Sequence, residues 1–188
     1  MADPMLRRNW IARVLLLSCC GVMFAAELTG VWLDVPFVKQ EKDGCGAASI
    51  AMVMQYWQQQ QKRSPNANAE YGYIQQALLS RAAHGVFASD MERYFQENGF
   101  TTFSFTGDWA ALNHHLQKGR PLIVSLKPGS HLALHYVVVA GLNENEHVVL
   151  INDPAQRKLL KEESSRFEQE WKGAGHWTLL AVSEGSAH

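Results

Sequence analysis

Cysteine is scarce in this chain: of its 188 residues only three are cysteine, and two of them, Cys19 and Cys20, sit in an apolar tract near the N-terminus. Removal of that tract would leave Cys45 alone, with no internal disulfide open to it. Charge is scarce too. Only 19% of residues are charged, the net charge is −1 and the basic residues are scattered, which excludes the concentrated positive field that holds a phosphate backbone. Nucleic acid is therefore not an expected partner. His-Glu-x-x-His and paired-cysteine spacings are lacking, and the adjacent His114 and His115 diverge on a helix, so neither a metal nor an organic cofactor is expected. No internal repeat occurs, and the tract Gln58 to Gln61 reads as a solvated helix tail.

What is present is a 47% apolar composition, that of one ordinary globular domain. Ahead of it, Arg7, Arg8 and Arg13 precede the apolar run Val14 to Ala26, which ends on the small residues Ala25 and Ala26. The run falls short of the about 20 residues of a membrane-spanning helix and has the layout of a secretory signal. Residues 1–26 are thus expected to be a signal peptide and residues 31–183 the folded domain. The protein is expected to be exported, periplasmic or membrane-associated. Leu16-Leu17-Ser18-Cys19 weakly resembles a lipoprotein cleavage box, and a lipidated or uncleaved N-terminus would hold the chain at a membrane.

Good helix formers from Cys45 to about Gln60 predict a helix buried in its first three turns. Shorter helical patterns follow at Tyr71 to Leu79 and at Ser89 to Asn98, the latter capped by Ser89 and ended by Gly99. Strands are predicted at Phe100 to Phe105, Pro121 to Lys127, Leu134 to Gly141, His147 to Asp153, Lys158 to Glu162 and His176 to Val182. Helices at Asp108 to Lys118 and Ser164 to Trp171 lie between them. Helices first and strands later, without regular alternation, predict an α+β domain whose helical half packs on a mostly antiparallel sheet. The cleft between the halves is the expected substrate site.

Cys45 falls in the first turn of its helix, where unpaired N–H groups and the helix dipole favour a thiolate. Gly44 and Gly46 are expected to keep bulk away from the sulfur. Gln40, five residues earlier, is placed for its amide to meet the Cys45 N–H around one oxygen, as an oxyanion hole requires. Of eight histidines, His135 is the best candidate base, because it opens the apolar strand Tyr136 to Gly141 and would sit on rigid scaffold.

Leu134 to Gly141 and His147 to Asp153 read as a hairpin turning near Glu144. Residues opposed in an antiparallel pair have a constant index sum. A three- or five-residue turn centred on Glu144 sets His135 opposite Asp153, whose carboxylate would then orient the imidazole. A four-residue turn puts Asp153 on the other face. The expected outcome is the first register, or a bulge that restores it.

Three tracts together resemble the bacteriocin-processing, double-glycine-leader peptidases, family 39 of the cysteine peptidases, within the papain-like group. They are Val35 to Gln40 running into Gly44-Cys45-Gly46-Ala47-Ala48-Ser49, then His135 to Gly141, then Asp153-Pro154-Ala155; Phe167 to Trp171 with Gly173 looks like the family's closing segment. The resemblance implies a papain-like fold with Cys45 as nucleophile, His135 as base, Asp153 as orienter and Gln40 in the oxyanion hole. Its best-known members are fused to transporters, whereas this chain reads as free-standing and exported. A polypeptide substrate and a secretion-system partner are therefore expected. A papain-like amidase or acyltransferase, and a non-catalytic peptide-binding module, are the competing classes.

Overall fold

The computed structural model describes residues 30–129 and 133–185; the signal-peptide expectation for residues 1–26 lies outside them. The element order is β1 (Gly30–Trp32), α1 (Cys45–Gln60), a 3-10 turn (Ala67–Ala69), α2 (Tyr71–Leu78), α3 (Ala88–Glu97), β2 (Phe100–Thr106), α4 (Trp109–Gln117), β3 (Leu122–Leu126), β4 (His135–Asn143), β5 (Val148–Asn152), β6 (Leu160–Glu163), α5 (Ser164–Gly173) and β7 (Trp177–Ser183). Pairing is antiparallel throughout, in the order β2-β7-β3-β4-β5-β6, and β1 pairs with β4 beyond the end of β3.

The α+β expectation holds, with one addition: both faces of the sheet are covered. On one face α1 packs with α2 and α3 over Ile123, Tyr136, Val138, Ala140, Leu179 and Ala181. On the other, Leu112 and Leu116 of α4 and Phe167 and Trp171 of α5 pack over Leu122, Val124, Val137, Val139, Ile151 and Leu180. Strands buried on both sides read as continuous apolar runs rather than as alternation, which is why β3 and the middle of β4 are apolar almost without interruption. In the same way α1 is buried nearly all round over its first ten residues. Its far end is pinned where Tyr56 Oη donates to the Gly119 carbonyl at 2.8 Å and Trp57 Nε1 to that of Ala181 at 3.0 Å.

Two local expectations are corrected. Helix α3 starts at Ala88, capped by Phe87 without a side-chain bond, so Ser89 lies inside the first turn and is not the cap. Strand β6 is Leu160–Glu163 rather than Lys158 to Glu162, because Leu159 takes a positive φ of 47° and its N–H is held by Asn152 Oδ1 at 2.9 Å. Among the described residues, no helix is long and apolar enough to cross a membrane.

Candidate active site

The N-terminus of α1, the start of β4 and the end of β5 converge on one spot. Gly44 caps α1 without any side-chain bond, and no acidic side chain occupies its first turn. The positive end of the helix is therefore left to whatever sits at Cys45. Cys45 is half-buried and is a free thiol.

The hairpin register is not the one expected. Asn143 pairs with Val148 across a four-residue connection, the length that by itself puts Asp153 on the wrong face of the sheet. A bulge then intervenes: Val139 pairs with Ile151 but Gly141 with Leu150, so Ala140 is an extra residue. The index sum changes from 291 near the turn to 290 at Val138 and Asn152. Continued past that pair, the register sets Asp153 beside Val137, two residues from His135 and on its face. The direct opposition of His135 and Asp153 is therefore wrong, and the restoring bulge is right. The contact is diagonal, and His135 Nε2 lies 2.8 Å from Asp153 Oδ1.

Asp153 accepts at both oxygens. Oδ1 also receives the Ala155 N–H at 2.9 Å, and Oδ2 receives Gln156 Nε2. Asp153 is thus both the turn starter of its Asp-Pro pair and a partner of the imidazole. Burial works against its charge, but the bonds from His135, Ala155 and Gln156 outweigh that and hold its carboxyl below the ordinary range. A carboxylate so placed can only accept, so His135 carries a proton on Nε2 and leaves Nδ1 on the side away from Asp153, with Cys45 close enough to act on the ring's charge. Burial likewise disfavours the imidazolium, yet the bonds and charges of Asp153 and Cys45 raise its pKa to about 9. The His135 side chain stays 20% exposed while that of Asp153 is only 6% exposed, so the ring can be reached and the carboxylate cannot.

These shifts have opposite consequences for stability. The raised His135 contributes stability below its ordinary pKa of 6.5 that is lost as pH rises through about 9. The depressed Asp153 contributes stability above its ordinary 3.8 that is lost as pH falls through its folded value. The urea midpoint is expected to drop on raising the pH from 6.5 to beyond 9, and His135→Gln should flatten that limb. An unchanged slope in the variant would mean that the proton is held elsewhere.

Gln40 is tied to the site by its backbone, whose N–H donates to the Pro154 carbonyl at 3.0 Å. Its Oε1 is buried without a hydrogen-bond partner among the described residues. Several supporting residues escaped sequence reasoning. Asn152, fully buried, donates Nδ2 to the carbonyls of Val35 (3.1 Å) and Pro36 (3.3 Å), stapling the lead-in to β5. Tyr71 Oη accepts the Glu41 N–H at 2.8 Å, and Gln75 Nε2 donates to the Lys42 carbonyl at 3.3 Å, so α2 holds the loop between Gln40 and Cys45. Only the short spacing of Gln156 from Asp153 offered a signal, as a turn-forming neighbour.

The reading of Gly44 and Gly46 as room for substrate is also corrected. A Cβ at 44 would overlap the Tyr71 hydroxyl, and one at 46 would lie 2.9 Å from Val86 Cβ. These glycines admit the chain's own side chains. Gly44→Ala is expected to cost about 1–3 kcal/mol by overpacking, read as a lower urea midpoint, and Tyr71→Phe in the same chain should recover part of it by removing the clashing oxygen.

The mixed helix and antiparallel-sheet fold, with Cys45 at a helix N-terminus and His135 at a strand start, is the fold of papain-like C39 peptidase domains. The chain belongs to the Peptidase_C39 like family, whose model matches residues 32–178. Comparison with curated protein sequences gives no match. Among solved structures the fold is similar to a protein described as a C39-like peptidase from Bacillus anthracis (18% identity, TM-score 0.65, covering 82% of this chain and 98% of that one). It is also similar to the peptidase domain of Streptococcus ComA, a bifunctional ABC transporter in a quorum-sensing pathway (24%, 0.61, 78% and 97%). A third similar fold is a double glycine motif protease from an AMS/PCAT transporter, solved in complex with the leader peptide (22%, 0.60, 81% and 94%).

Proposed function

We propose that this protein is an exported cysteine endopeptidase that cleaves a secreted or leader-bearing polypeptide. The observation that carries the reading is the 2.8 Å bond by which Asp153 fixes one nitrogen of His135 and leaves the other for Cys45. In this reading Cys45 Sγ, as thiolate, attacks the scissile carbonyl carbon, and the C–N bond breaks as His135 gives its proton to the leaving amine. Water then attacks the thioester while His135 takes a proton from it, releasing the carboxylate product and the thiol. The Cys45 N–H, with the Gln40 side-chain amide as second donor, receives the developing oxyanion, an interaction that typically supplies a few kcal/mol. No cofactor enters these steps.

Family membership supports the peptidase class. The leader peptide bound to the transporter protease of similar fold supports a leader-bearing substrate and a secretion transporter as partner. Export rests on the basic and apolar tract before Ala26. A peptidyl vinyl sulfone should add its mass to Cys45 and to nothing in Cys45→Ala, and incubation with candidate secreted polypeptides should yield hydrolysed products. Labelling without hydrolysis but with acyl transfer would replace the endopeptidase reading by an acyltransferase. Absence of labelling would leave a binding module. Mass spectrometry of the mature protein is expected to find an N-terminus just after Ala25 or Ala26; a lipidated Cys19 would instead place the chain on a membrane.

A further inference from the structure

The two edges of the sheet are built differently. The β6 edge is four residues long and three of them are charged: Lys161, Glu162 and Glu163. That is how an edge strand is usually kept from pairing with other chains. The β2 edge is seven residues, Phe100–Thr106, with no charge, no proline and an unbroken register to β7. Among the described residues β7 is its sole strand partner, so its outer main-chain groups are open. Beside it, on the part of the α4/α5 face that those helices leave uncovered, lies a cavity of about 740 Å³ lined by Thr101, Phe103, Phe105, Leu180 and Val182, with His115 and Arg120 at the α4 end and Glu184 at the end of β7. Phe103 is 54% exposed. The Arg120 side chain makes no ion pair or hydrogen bond among the described residues, and His115 Nδ1 is buried without a partner.

We propose that β2 is a docking edge for an extended polypeptide segment, which adds as a further strand, places alternate apolar side chains along Phe103 and Phe105, and sets a carboxylate against Arg120. An open strand edge recognises main chain, and the flanking groove selects every second side chain. Charge chooses the occupant. Within the paired strand itself a second copy would bring no carboxylate, since Phe100 to Thr106 contains none and the nearest in the chain, Glu97 and Asp108, lie beyond its ends. The edge stands three strands from β4, roughly 14 Å away at the usual strand spacing. It therefore serves as an exosite, independent of whether Cys45 cleaves what is bound.

The test uses the full chain and a fluorescein-labelled probe of seven residues, valine alternating with threonine and ending in glutamate, read by anisotropy. Saturable binding is expected, weakened at least tenfold in Phe103→Lys and in Arg120→Glu and unchanged in Cys45→Ala. The same probe ending in lysine should bind Arg120→Glu better than it binds the parent protein, a charge swap that a misfolded variant cannot produce. Absence of saturable binding by the parent, loss of binding in Cys45→Ala, or failure of the swap would overturn the proposal. So would sedimentation showing a dimer that Phe103→Lys dissociates, because the edge would then belong to a second copy.

Discussion

Cys45→Ala is expected to lower the rate of peptide cleavage by about 10⁴-fold or more, while the melting temperature moves by no more than about 4 °C. The first figure is the usual cost of removing a nucleophile that works as a unit with its base; the second reflects the loss of one half-buried sulfur atom. Single-turnover cleavage and calorimetry on the same preparation separate the two. Asp153→Asn is the more discriminating companion. An amide presents one oxygen and one NH2 group, but the carboxylate it replaces receives His135 and the Ala155 N–H at Oδ1 and the Gln156 amide at Oδ2. Asparagine can keep its oxygen toward His135 and the Ala155 N–H only if the Gln156 amide turns its own oxygen to accept the new NH2 group, and it removes the negative charge that holds the imidazolium; a fall of about 10²- to 10⁴-fold in kcat is expected, as for a misoriented imidazole. Retention of full activity in Asp153→Asn would remove Asp153 from the catalytic group.

The second large effect is on stability. Trp171 is fully buried on the α5 side of the sheet, where it touches Phe167 and Trp109, lies edge-on to His176 and donates Nε1 to the Trp177 carbonyl at 3.3 Å. Gly107 has no side chain because a Cβ there would stand 2.6 Å from the Trp171 ring. Trp171→Ala should cost about 3–5 kcal/mol, a drop in melting temperature of roughly 10 °C or more for a domain of this size. Because Trp171 packs in the layer opposite α1, labelling of Cys45 is expected to survive at low temperature. A small change in melting temperature would mean that the layer can collapse around the void.

The site was legible in the sequence to the extent that its chemistry is local. Cys45 at a helix start and His135 at a strand start both follow from patterns within one element, and the structure places each at those positions. Their meeting with Asp153 required a long-range register. Counting residues around the turn could state that condition but could not locate the bulge, because Ala140 looks like any other apolar residue of β4. The second helical layer does show in the sequence: β3 and β4 are apolar on both faces, which is the pattern of strands covered on two sides. The glycines misled because the clashes they avoid come from distant residues, Tyr71 for Gly44 and Val86 for Gly46, 27 and 40 positions further along the chain.

The extra residue at Ala140 also bears on heredity. Its excision alone would leave Val139 opposite Ile151 and the His135 end of β4 unmoved, whereas excision of one codon between His135 and Val139, with the bulge and the turn intact, would leave β4 and β5 paired and apolar but carry His135 to the opposite face from Asp153. A descendant carrying that deletion would keep its cysteine, its histidine and its aspartate and yet be silent. Within this fold, the presence of all three residues in a relative's sequence is therefore no guarantee of catalysis unless the spacing from the histidine to the bulge is kept as well.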